Sequence, residues 1–97
     1  MGRTNDALPL LERMLTLSRD EFGPQHWRTA EARLALGECL LLRRQYRRAE
    51  DLLREAYVVL DRDRRAQPLV ARDAEQALQR LYRAWGKPAE AQKYAPG

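Results

Sequence analysis

Ninety-seven residues, 44% of them hydrophobic, are enough for one domain with a modest core, and the low glycine and proline content argues against a disordered tail. Eighteen basic residues against fourteen acidic ones give a formal charge of +4, with the two signs interspersed in stretches such as RRAEDLLRE and DRDRR, as on a solvated helix surface. No stretch approaches the roughly 20 uncharged residues of a membrane span, and MGRTNDALPLLER has no apolar run long enough for a secretory signal, so the chain reads as a cytoplasmic protein with no membrane association.

Abundant Leu, Ala, Arg, Glu and Gln, which lose little side-chain freedom in a helix, predict an all-α fold. The first helix is expected over about 6–22, with Leu8, Leu11, Leu15 and Phe22 on one stripe, Asn5 or Asp6 as its cap and Pro9 in its first turn. Gly23-Pro24 then breaks it. A second helix is expected from Trp27 or Arg28 to Arg44, and a third from Tyr46, with Ala49, Leu52, Leu53, Ala56, Val59 and Leu60 on one broad face. So short a joint folds the two back as an antiparallel pair. DRDRRAQP closes the third helix, a fourth runs from about Leu69 to Trp85, Gly86-Lys87-Pro88 breaks it, and AEAQKYA supplies one or two turns of a fifth.

Ala7, Ala49 and Ala91 recur every 42 residues, and Ala32, Ala35, Leu36 and Leu40 recur as Ala74, Ala77, Leu78 and Tyr82. A period near 40 with two helices per period is the signature of a helical solenoid. Leu36-Gly37 in the first helix of the pair, Tyr46 near its turn, and Ala49 and Ala56 in the second helix resemble the tetratricopeptide repeat family. The 42-residue period and the linker FGPQHWRTA resemble the longer variant of kinesin light chains and of many bacterial regulatory proteins. This resemblance implies antiparallel helix pairs stacked as a short right-handed α-solenoid of about two repeats. It implies a single domain over 1–97, a fragment of or companion to a larger protein. The second repeat departs from the pattern, with Gln79 in place of Gly37 and Pro88 in place of Tyr46. A glycine inside a helix costs about 1 kcal/mol relative to alanine, and close approach to the next helix opposite Ala49 is the expected reason for Gly37.

A catalytic constellation is absent from the pattern. The one histidine, His26, sits in the Gly-Pro linker as a helix-entry residue, and Asp61 with Asp63 lacks the glycine and closing glutamate of a calcium loop. Cys39, the one cysteine, reads as a small buried residue and excludes an internal disulfide; no metal or cofactor site is expected. Trp27 and Trp85 read as packing anchors, and Arg43, Arg44, Arg47 and Arg48 as a solvated turn whose guanidinium groups meet the last carbonyls of the second helix and pair with Glu50 and Asp51. Arg64 reads as a linker residue that is neutral to replacement.

What the resemblance implies for function is a non-enzymatic protein–protein interaction module whose concave face is lined by the first helix of each repeat. The groove positions it carries over are Glu31, Leu34, Glu38 and Leu41 in one repeat and Asp73, Gln76, Arg80 and Arg83 in the next. The partner would be a protein or peptide with an acidic group for Arg80 or Arg83 and an apolar side chain for the leucines. A homo-oligomer or helix-swapped dimer is a further expectation, since at least three repeats are normally needed for a stable stack. The alternative is a nucleic-acid-associated helical protein using the Arg-rich turn, with nucleic acid not the expected partner.

Overall fold

The computed structural model describes residues 3–95, with the side chains of 7–95. Five helices follow one another: α1 (Arg3–Phe22), α2 (Trp27–Leu42), α3 (Tyr46–Arg62), α4 (Pro68–Ala84) and α5 (Pro88–Gln92). Each packs against the next in sequence, and α2 also touches α4, so the array is an all-α stack of adjacent helix pairs. None of these helices is long and apolar enough to cross a membrane.

Two expectations for α1 are corrected. The helix begins at Arg3, so Asn5 and Asp6 lie within it rather than at its cap, and Pro9 is an interior residue rather than a first-turn one. An interior proline leaves the carbonyl four residues earlier without its usual backbone donor.

The core runs along the interfaces of α2, α3 and α4, through Leu40, Leu53, Leu60, Leu78 and Leu81, all fully buried. Leu8, Leu11 and Leu15 bring α1 onto it, Trp27 and Trp85 pack on its edge, as expected of anchors, and Tyr46 packs there too. Gly37 marks the tightest helix contact. A Cβ there would lie 2.7 Å from Leu53 Cδ2, 2.8 Å from Leu53 Cγ and 3.5 Å from Leu52 Cβ. The close approach holds, but the residue it accommodates is Leu53 and not Ala49. In the second repeat the 42-residue equivalents are Gln79 and Ala95, and the Gln79 amide uses the space to donate to the Tyr94 carbonyl at 2.8 Å.

The α1–α2 linker is fixed by donors from three directions. Thr29 Oγ1 donates to the Gly23 carbonyl (2.7 Å), the buried Arg33 to that of Pro24 (2.8 Å), and Arg62, from the far end of α3, to that of Gln25 (2.9 Å). His26 is the helix N-cap, its Nδ1 accepting from the Arg28 backbone at 3.0 Å. The α3–α4 linker uses the opposite polarity, because the position equivalent to Arg33 is Glu75. Arg64 in that linker donates to Glu75 (2.6 Å) and to Asp61 (2.9 Å), so it ties the end of α3 to α4.

Candidate functional site

The joints after α2 and α4 share one backbone motif. After α2, Gln45 N–H reaches the Leu40 carbonyl (2.9 Å) and Arg44 N–H that of Leu41 (2.9 Å); after α4, Lys87 N–H reaches Tyr82 (2.7 Å) and Gly86 N–H reaches Arg83 (3.2 Å). This paired closure needs a left-handed residue at the turn, for which glycine is the usual choice. Gly86 fills it at φ +74°, whereas Arg44 fills the equivalent place at φ +61°. The last carbonyls of α2 are therefore capped by backbone, not by the guanidinium groups expected to meet them. The expected pairs of the Arg-rich turn with Glu50 and Asp51 are likewise replaced. Arg48 reaches Glu12 on α1 at 3.6 Å, and Glu50 accepts from the buried Tyr82 hydroxyl at 2.7 Å.

Arg44 stands at the mouth of a groove of about 680 Å³ between the ends of α2 and α4. Glu38, Leu41 and Leu42 contribute from α2, Arg80 and Ala84 from α4, and Tyr46 from the start of α3. Across it Arg80 Nη2 meets Glu38 Oε2 at 2.8 Å. Burial pushes the Glu38 carboxyl above the usual range, Arg80 opposes this and Asp73 adds to it. Tyr46 packs against Trp85, their ring centroids 5.7 Å apart, and Lys87 lies 3.8 Å above the Trp85 ring, which stiffens this end of the groove.

Of the eight residues carried over from the resemblance, Glu38, Leu41 and Arg80 line this groove, with Asp73 close enough to act on Glu38. Leu34 is 5% exposed and belongs to the core, because α2 is enclosed by α1 and α3 and shows solvent only a narrow strip. Glu31 borders a separate hollow beside Met14 and Phe22, Gln76 borders another beside Arg64, and Arg83 makes a long contact with Gln79 at 3.5 Å. Arg80 is an engaged guanidinium, so a partner carboxylate would have to displace Glu38 to use it fully. Arg44, by contrast, has no ion pair among the described residues. The sequence signal for Arg44 was its 42-residue spacing from Gly86.

The tetratricopeptide repeat family matches residues 1–61, through α1, α2 and α3. The chain belongs to the tetratricopeptide repeat family. No curated protein and no solved structure matches the chain. Tetratricopeptide repeats are in general protein–protein interaction modules, and typically scaffolds rather than catalysts. Beyond the matched residues, α4 continues the array, with Arg80 meeting Glu38 at the position 42 residues earlier, and α5 packs against α4.

Proposed function

We propose that this tetratricopeptide repeat chain is a non-enzymatic cytoplasmic module, one domain of or companion to a larger protein, that holds a peptide segment of a partner in the groove between the ends of α2 and α4. The observation that carries this reading is the groove's composition. Leu41, Leu42 and Ala84 give it apolar surface, Tyr46 a flat ring, and Arg44 a guanidinium without an ion pair among the described residues. An extended or helical segment with one apolar side chain and one carboxylate matches those features, the carboxylate making charge-assisted hydrogen bonds to Arg44.

The test begins with a partner recovered by pull-down, whose bound segment is then mapped and synthesised. Its titration against Leu42→Glu/Arg44→Glu should show at least a tenfold loss of affinity, and against Arg47→Glu/Arg48→Glu little change. The reverse order would place the site on the outer ridge and overturn the groove assignment.

A further inference from the structure

The helices α1 and α3 both pack against α2, and α3 and α5 both pack against α4, so each pair stands on either side of a slot over the helix it shares. The slot over α4 is filled from within. Tyr57 on α3 and Tyr94 just after α5 meet edge to face with centroids 5.1 Å apart, and Tyr94 stacks on Tyr82 of α4 at 6.1 Å. Asp61 and Arg64 stand close enough to the Tyr57 hydroxyl to act on its proton.

Forty-two residues earlier, Leu15, Leu52 and Leu40 take the places of Tyr57, Tyr94 and Tyr82. Without the rings, a hollow of about 340 Å³ opens over α2, floored by the buried Leu36 and walled by Leu15 and Leu52. Every wall of it comes from three consecutive helices, α1, α2 and α3. Leu36 and Glu38, two positions apart on α2, point to nearly opposite sides of that helix, so the hollow lies across the stack from the peptide groove. Its rim is polar. Arg48 and Glu12 pair there at 3.6 Å, whereas Arg19 and Asp51 have no ion pair among the described residues. Arg19 holds the place beside Leu15 that Asp61 holds beside Tyr57.

We propose that this hollow receives an aromatic side chain of tyrosine type from a partner protein, which completes over α2 what Tyr57 and Tyr94 complete over α4. A flat ring suits a slot between two helices, the unpaired Arg19 guanidinium suits its face, and Asp51 can accept from its hydroxyl. The site is separate from the peptide groove and does not depend on what that groove holds.

The test uses the isotope-labelled full chain and two small probes, p-cresol and N-acetyl-tyrosinamide. Both should give saturable amide shifts centred on Leu15, Thr16, Leu36 and Leu52, with a Kd on the order of a millimolar, as befits so few contacting atoms. Leu52→Tyr supplies the ring that the second repeat carries at Tyr94, and Leu15→Tyr the ring it carries at Tyr57. Each should fill the hollow itself and weaken p-cresol binding about tenfold. Arg19→Ala/Asp51→Ala changes only exposed rim positions and should weaken it about threefold. Circular dichroism and thermal melts report whether each variant remains folded.

The absence of a saturable shift up to about 20 mM overturns the proposal, as do shifts that gather at the α2–α4 groove instead. Binding that survives unweakened in the folded tyrosine variants, or in the folded rim variant, overturns it as well. Equal binding of the saturated analogue of p-cresol would mark a slot for any apolar group and would end the aromatic assignment.

Discussion

Glu38 and Arg80 occupy the same position in consecutive repeats and meet across the groove at 2.8 Å. Both side chains are substantially exposed, so a double-mutant cycle on thermal unfolding should give a coupling of about 0.2–1 kcal/mol at neutral pH. The sign of its pH dependence follows from Glu38, whose carboxyl is held above the ordinary range by burial and by Asp73 against the pull of Arg80. The folded chain binds that proton more tightly than the unfolded one, so its contribution is full below the usual carboxylate range and is lost as pH rises through the folded value. Arg80 offsets part of that loss. Arg80→Ala should therefore cost stability at pH 7 and almost none at pH 3, where Glu38 carries no charge to pair.

Gly37→Ala gains about 1 kcal/mol of helix propensity but drives a Cβ into Leu53, a fully buried side chain with little room to turn, at an expected overpacking cost of about 1–3 kcal/mol. Net destabilisation should appear in a urea melt, larger for Gly37→Leu. Adding Leu53→Ala to Gly37→Ala should cost less than Leu53→Ala does alone, because the new methyl fills part of the cavity. Additive effects would show that the two residues do not meet.

Arg44→Gly should raise stability by about 0.5–1 kcal/mol, since glycine takes the left-handed turn without the strain that an arginine bears, less the entropy that glycine adds to the unfolded chain. The same substitution should weaken binding of the mapped partner peptide. A variant that melts higher and binds less well would show a side chain retained for recognition. An unchanged affinity would show the guanidinium to be uninvolved.

Tyr82→Phe removes a donor to Glu50 from within the core, at an expected cost of about 1.5 kcal/mol. The Tyr82 phenol is pushed well above its ordinary range, first by burial and then by its hydrogen bond to Glu50. Its proton is thus bound more tightly in the folded chain. The stability it supplies is full below about pH 10, the ordinary tyrosine range, and is lost as pH climbs above it. Alkaline unfolding of Tyr82→Phe should be shallower than that of the wild type.

Arg64→Ala should destabilise by about 1 kcal/mol in thermal melts, a value reduced by the partial exposure of Arg64 but above that of an ordinary linker substitution. Arg65→Ala, at the exposed neighbouring position, is the control and should be close to neutral.

The helices were legible because their breaks are chemical, at Gly23-Pro24 and at Gly86-Lys87-Pro88, and because the 42-residue recurrence reveals which helix is equivalent to which. Glu38, Leu41 and Arg80 were placed on one face by the groove positions that the resemblance carries over. Leu34 could not be told from its neighbours, since a helix enclosed on two sides buries positions that a single-faced reading leaves open. The partner of Arg64 was not legible, because Glu75 comes within reach only once the α3–α4 turn is formed. Arg44 was hidden inside a run of arginines, where charge is visible and backbone conformation is not.

The opposed polarity of the two linkers bears on how far the repeats are interchangeable parts. In the first, side chains of α2 and α3 donate to linker carbonyls; in the second, a linker guanidinium donates to carboxylates on α3 and α4. A chimera that moves the first linker into the second position leaves Glu75 without its guanidinium and supplies carbonyls with no donor at Ala71 or Glu75, the equivalents of Thr29 and Arg33. Extension of this array by copying a repeat should therefore succeed when each linker travels with the helices on both of its sides, and fail when helices and linkers are recombined freely.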